Sequence, residues 1–348
     1  MSDALATVLP ALASDKPGRP ETVALRRALR KYVLMPEGMR PDPPADVAKA
    51  LRWLEAASLD VKALSATKVI RPALDSLTLK LDGTKAAANT IKRKRAVVHH
   101  VLEYAVELEE LDSNPLHRVK WKPPKTTEAV DPRVVVNPLQ ARELLSAVAR
   151  VGERRIKRGR RLMAMFACMY FAALRPAEAV SLRLDNCHLP LKGWGRLTLD
   201  ASRPEVNRRW TDSGDAHEVR GLKHRAANDV RVVPIPPELV KILRQHIAEL
   251  GVAPDGRLFR SERDGVVAST AYTEVWQEAR KLALSPAQVA SPLAQRPYDL
   301  RHAAVSLWLN GGVSAPEVAK RAGHGVDVLL RVYAKCIDGQ EEIVNQRI

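Results

Sequence analysis

The sequence predicts a mostly α protein with a small β-hairpin or sheet (α+β), in which a helical domain is joined by a linker to a mixed domain. Three observations predict it. Between Lys85 and Leu108, Ile91, Val98, Leu102 and Ala105 recur at helical spacing. Val219 to Pro236 reads as two short strands flanking a polar turn that begins at Lys223. The stretch from His117 to about Pro138, with Lys122-Pro-Pro-Lys125 and Asp131-Pro132, is polar, Pro-rich and poor in helical periodicity.

In chain order, residues 1–58 hold helical pieces broken near Gly18-Arg-Pro20 and by Pro36, Pro41 and Pro43-Pro44. This segment is either a separate module or an elaboration of the next domain. Residues 59–121 form the helical domain, and Leu111-Asp-Ser-Asn-Pro115 supplies a helix-ending turn. Residues 122–137 are the linker and 138–348 the mixed domain. There, Leu139 to Val151 and Arg161 to Leu174 read as helices, Arg196 to Asp200 and Glu218 to Ile235 as short strands, and Pro237 to Leu250 as an amphipathic helix. Tyr298 to Gly311 and Ala315 to Ala322 are helices again, and Tyr333 sits in a further helical run. The tail from Gly339 to Ile348 carries Ile343, Val344 and Ile348 with nothing nearby in sequence to pack on.

Composition narrows the function. The 348 residues include 56 Lys plus Arg against 40 Asp plus Glu, a formal net charge of +16 that suits a protein surrounding a polyanion. A DNA-coating protein would share this charge but not the 46% hydrophobic content, which is ample for a packed core. Cys168, Cys187 and Cys336 have neither paired nor metal-type spacing, so a reducing cytosol is the natural setting. The longest apolar run, Leu162 to Leu174, is too short to span a bilayer, and the N-terminus lacks signal-peptide character. A cytoplasmic protein with a polyanionic partner and no membrane partner is expected.

One short segment concentrates chemistry. Tyr298-Asp-Leu-Arg301-His302 is followed by Gly323-His324 and then Tyr333, with Arg175 upstream in Ala173-Leu-Arg-Pro-Ala-Glu178. A phosphodiester under attack gathers negative charge on its non-bridging oxygens, and planar guanidinium forks bind such oxygens in a bidentate way. A tyrosine hydroxyl, with an ordinary pKa near 10, is a weak nucleophile until positive charge and hydrogen bonds lower the cost of the phenolate. Singly, each residue has an ordinary explanation. Arg175 reads as a cap or ion-pair partner, Tyr333 as a packing residue and His324 as a turn residue. Glu178, three residues beyond Arg175, is placed to orient its guanidinium from the next helical turn. The cluster Lys92, Arg93, Lys94 and Arg95 suits phosphate contact or a solvated helix face.

Together, these residue types and spacings resemble the tyrosine recombinase (phage integrase) family over roughly residues 60–340. The resemblance implies a SAM-like core-binding domain at 59–121 and a catalytic domain at 138–348, closing around duplex DNA as a C-shaped clamp. It implies site-specific cleavage and rejoining of DNA through a covalent 3′-phosphotyrosyl link to Tyr333, for integration or excision of a mobile element such as a phage. Arg175, Arg301 and His324 would hold the phosphate, and neither cofactor, ATP nor metal would be required. Lys223, upstream of the family-like strand Arg231-Val-Val-Pro234, would be the proton donor to the 5′ oxygen, with Arg220, His224 and Arg225 close by. His302 would support the site or pack. The implied partners are specific attachment sites, a homotetramer on synapsed DNA with the C-terminal tail docked on a neighbour, and accessory DNA-bending or directionality proteins. One departure stands out: Tyr298 occupies a position where the family usually has histidine, and is read as a neutral hydrogen-bond donor. The competing readings are a type IB topoisomerase-like enzyme and a catalytically silent DNA-binding protein on the same fold.

Overall fold

The computed structural model describes residues 17–35, 37–80, 82–126, 129–152, 158–208, 211, 213–222 and 229–337. The chain divides into two compact units, residues 1–127 and 128–348.

The first unit is helical. Helices α1 (Thr22–Ala28) and α2 (Ala45–Ala57) pack on each other around Leu25, Ala28, Leu29, Val47, Ala50 and Leu54. Helices α3 (Thr67–Ser76) and α4 (Ala88–Glu107) share a second cluster in which Ile70, Leu74 and Leu102 meet Leu111, Leu116 and Val119 of the following turns. The segment 1–58 thus builds a small core of its own among the described residues.

The second unit is helical around one small sheet. Helix α5 (Pro138–Arg150) starts where the sequence favours a start. Asn137 accepts from the Gln140 backbone N–H at 2.8 Å, Gln140 returns the bond to the Asn137 N–H at 3.1 Å, and Pro138 fills the first helical position. Helix α6 (Arg158–Phe171) is the buried centre, with every side chain from Ala164 to Phe171 inside the core, and α7 (Pro176–Ala179) is a single turn. Strands β1 (Cys187–His188), β2 (Gly195–Leu199) and β3 (Arg231–Ile235) form one antiparallel sheet in the order β1-β2-β3. Helix α8 (Pro237–Leu250) has the bounds its periodicity predicts, and Gly251 ends it at φ 67°. Helices α9 (Ser269–Ala283) and α10 (Pro286–Ala290) follow. They lead to α11 (Asp299–Asn310), α12 (Ala315–Ala322) and α13 (Val326–Tyr333). The fold is the expected mostly α one with a small sheet.

Two expectations change. Among the described residues, the strand predicted between Glu218 and Ile235 is in sheet from Arg231, where it pairs with β2 rather than with Val219-Arg220. Arg220 instead bridges Ser202, and His217 bridges Glu205. The long helix α9 was not anticipated; it buries Trp276, whose indole N–H donates to the Ala294 carbonyl at 2.8 Å. Of the stretch read as a linker, residues 129–137 pack on the second unit. Val130 is 8% exposed and donates its N–H to the Val332 carbonyl at 2.7 Å, and Val136 is buried.

Candidate active site

Helix α6 ends at Phe171, and the chain reverses through Ala173, a non-glycine residue at φ 49°. That turn aims the Ala173 carbonyl at Arg301, which donates Nη1 to it, and delivers Arg175 to the N-terminus of α7. Glu178, at the third position of the turn, accepts from the Arg175 backbone N–H at 2.8 Å and from Arg175 Nη1 at 2.7 Å. The same carboxylate takes both terminal nitrogens of Arg231, at 3.0 and 2.7 Å. Glu178 is therefore shared by two guanidiniums while only 2% exposed. Burial alone would raise its pKa; the charge and hydrogen bonds of Arg231, then Arg175 and Arg301, hold it down at about 2. Glu178 thus holds the Arg175 guanidinium from three residues along the chain. Its bidentate partner Arg231 stands out in the sequence only as part of the strand Arg231-Val-Val-Pro234. The signal was present: Arg231 alternates onto the same face as Val233 and Ile235, so its charge had to be buried.

Gly323 joins the two halves of the site. It caps α12 at φ +66°, accepts Arg175 Nη2 on its carbonyl at 2.9 Å, and leaves a gap where a Cβ would lie 2.3 Å from Arg231 Nη1. The residue after it is His324. Arg301, fully buried on α11, donates Nη2 to the Ala322 carbonyl at 2.5 Å and to His324 Nε2 at 2.8 Å. Burial, then the charge of Arg175, lowers the Arg301 pKa to about 10, so it stays a cation at neutral pH. His324 is held near 3 by burial and by Arg301, Arg175 and Arg231, so its imidazole is neutral. With Nε2 accepting, its proton sits on Nδ1, which is buried and has no partner among the described residues. The Arg301 Nε is likewise buried without a partner.

Tyr333 ends α13 and is 1% exposed. Its ring stacks on His324 with centroids 6.0 Å apart, while its hydroxyl lies 2.9 Å from Nδ1 of His302. Burial raises the Tyr333 pKa well above the ordinary phenol value, against the lowering pull of Arg301 and Arg175. Burial, then Arg296 and Arg301, lowers His302 to about 4, so it is neutral and can accept the phenolic proton. Tyr298, at the start of α11, stands edge-to-face on His302 with centroids 5.1 Å apart.

Arg175, Arg301, His324 and Tyr333 thus meet, and Glu178, His302 and Tyr298 join them. Lys223, His224 and Arg225 lie outside the described residues. The basic cluster on α4 is divided in its roles. Lys92 donates to Thr126 Oγ1 at 3.0 Å, Lys94 to the Leu79 carbonyl at 2.6 Å, and the Arg95 guanidinium lies 4.5 Å from the centre of the Trp121 ring. Arg93 is the exposed member.

No protein-family model matches the chain, and no curated protein does. Solved structures do. The Tn1549 transposon integrase, in complex with circular intermediate DNA, is 13% identical, with 93% of this chain and 98% of that one covered at a TM-score of 0.54. The XerH site-specific recombinase, bound to palindromic difH substrate in a post-cleavage complex, is 10% identical, with 99% and 94% covered at a TM-score of 0.54. A Y379F form of the Tn1549 integrase with transposon right end DNA is 14% identical over 100% of both chains at a TM-score of 0.50. At such identities the likeness shows the fold, and this chain has the tyrosine recombinase fold.

Proposed function

We propose that the protein is a site-specific DNA recombinase or integrase that breaks and rejoins strands through a 3′-phosphotyrosyl intermediate on Tyr333, in the integration or excision of a mobile element. The observation that carries this reading is the convergence of Arg175, Arg301, His324 and Tyr333, from four separate segments, into one buried cluster. The folds of DNA-bound recombinases at TM-scores of 0.54 support it.

In this mechanism Tyr333 Oη attacks the scissile phosphorus while its proton passes to His302 Nδ1, 2.9 Å away. The phosphorus–5′ oxygen bond breaks, and the leaving oxygen takes a proton from Lys223. Arg175, part-exposed and pinned by Glu178, offers its guanidinium to the non-bridging oxygens. His324 supplies its unpartnered Nδ1–H, and Arg301 its unpartnered Nε–H together with its charge. Rejoining runs the same steps in reverse from a new 5′ hydroxyl, so the energy of the broken bond is kept in the phosphotyrosine. Duplex attachment sites, closure of the two units around DNA as a clamp, a tetramer on synapsed DNA with the tail from Gly339 docked in trans, and accessory bending or directionality proteins belong to the same reading. So do the core-binding role of the helical unit and phosphate contact by the Lys92 to Arg95 cluster.

The test is a nicked duplex taken from DNA flanking the gene. Wild type is expected to give a denaturant-stable protein–DNA adduct, and Tyr333→Phe to bind the same duplex without one. Binding with no adduct from wild type on any such duplex would leave the silent DNA-binding reading. An adduct from Tyr333→Phe would assign the attack to another residue.

A further inference from the structure

The first unit holds a group of side chains that the proposed chemistry does not use. His99 and Glu103 are one turn apart on α4, and His117 lies in the single 3-10 turn Pro115–Arg118 that packs beside it. Their ligand atoms all fall within 4.8 Å of one another. Glu103 Oε1 is 3.5 Å from His99 Nε2 and 3.7 Å from His117 Nε2. Ligands held tetrahedrally at the usual zinc distances of about 2.0–2.1 Å stand about 3.3–3.5 Å apart, so these separations need only small side-chain rotations to close on an ion.

The framework is rigid. Asn114, only 2% exposed, donates Nδ2 to Glu103 Oε1 at 2.6 Å and to the His99 carbonyl at 3.2 Å, while its Oδ1 accepts the Leu116 N–H at 3.0 Å. One buried amide therefore fixes the carboxylate and ties α4 to the turn that carries His117. A hydrogen bond from outside onto a ligating carboxylate is the usual support of a metal site. His99 and Glu103 are part-exposed and His117 is exposed, which leaves an entry path and room for a water.

We propose that His99, Glu103 and His117 bind one Zn²⁺, with a water as fourth ligand, and that the ion clamps α4 to the Pro115–Arg118 turn. Two imidazoles and one carboxylate select a borderline transition ion over Mg²⁺ or Ca²⁺, which prefer all-oxygen shells. The site is structural and belongs to the first unit, whereas the Tyr333 cluster belongs to the second.

Cobalt(II) is the probe, added to the full chain. Wild type is expected to bind one Co²⁺ with the intense visible bands of four-coordination, displaced by Zn²⁺ and not by Mg²⁺. Zinc should also slow amide exchange across residues 115–118. Glu103→Gln keeps an oxygen for Asn114 but loses the charge, and His117→Ala removes one ligand; each should weaken binding by about a hundredfold or more, beyond the cost of losing an outer-shell partner. His100→Ala, a neighbouring exposed histidine, should leave it unchanged. Equal affinity in wild type, Glu103→Gln and His117→Ala would overturn the assignment. So would a pale six-coordinate spectrum, or one dominated by thiolate bands.

Discussion

The Tyr333 hydroxyl shares its 2.9 Å hydrogen bond with His302 Nδ1 and only its ring face with His324. Adjacent residues on α11 thereby serve opposite sides of the site. Arg301 points back into main-chain carbonyls and His324, and His302 points at the phenol. Because burial raises the Tyr333 pKa, its hydroxyl stays protonated at neutral pH.

If the two arginines stabilise charge that develops on the phosphate, Arg175→Ala and Arg301→Lys should each slow single-turnover cleavage by about a hundredfold or more, with a much smaller loss of DNA binding. Lys223→Ala should regain its rate on a substrate whose 5′ leaving group is a thiolate, which needs no proton. Failure of that rescue would move the acid elsewhere.

Glu178 is the one carboxylate shared by part-exposed Arg175 and buried Arg231, so Glu178→Ala leaves the buried Arg231 guanidinium without its ion-pair partner. The expected loss is about 3–5 kcal/mol of stability, read as a lower urea midpoint. The double variant Glu178→Leu with Arg231→Met removes both charges and should recover part of it. A single variant as stable as wild type would show that Arg231 finds water.

Acid should loosen the second unit in two stages. His302 and His324 have folded pKa values of about 4 and about 3, below the ordinary 6.5, so the unfolded chain binds more protons. Their stabilisation is complete above pH 6.5 and is lost as pH falls towards those values. Glu178, depressed from 4.5 to about 2, adds its loss only below pH 4.5. His217 and His246 are also lowered, by burial first, and act in the same direction. Urea midpoints of wild type and His302→Asn/His324→Asn at pH 7 and pH 5 separate the contributions: the variant should show the shallower drop, and equal slopes would remove the site histidines from the account.

Tyr298 stands edge-to-face on His302, which brings its ring to the edge of the site. If its hydroxyl is a neutral donor to developing charge, Tyr298→Phe should slow cleavage roughly tenfold to a hundredfold, while Tyr298→His stays active. A wild-type rate for Tyr298→Phe would leave it a packing residue whose ring alone matters.

The sequence by itself determined most of the helices, though not α9, and the residue types of the site. Local signals suffice for these: the capping pair Asn137 and Gln140, the periodicity of Pro237–Leu250, and the motif that sets Arg301, His302, His324 and Tyr333 within one stretch. Only the tertiary structure decided which distant partners meet. Turn residues near Lys223 suggested pairing across that turn, yet the inward faces of β2 and β3, alternating buried and exposed alike, brought Arg231–Ile235 against Gly195–Leu199. Arg231 reaches Glu178 across 53 positions, and Arg175 reaches Gly323 across 148. His117 meets Glu103 by the same kind of packing. Periodicity along a chain records which face of an element is buried, but the neighbour that buries it is chosen by how whole elements pack.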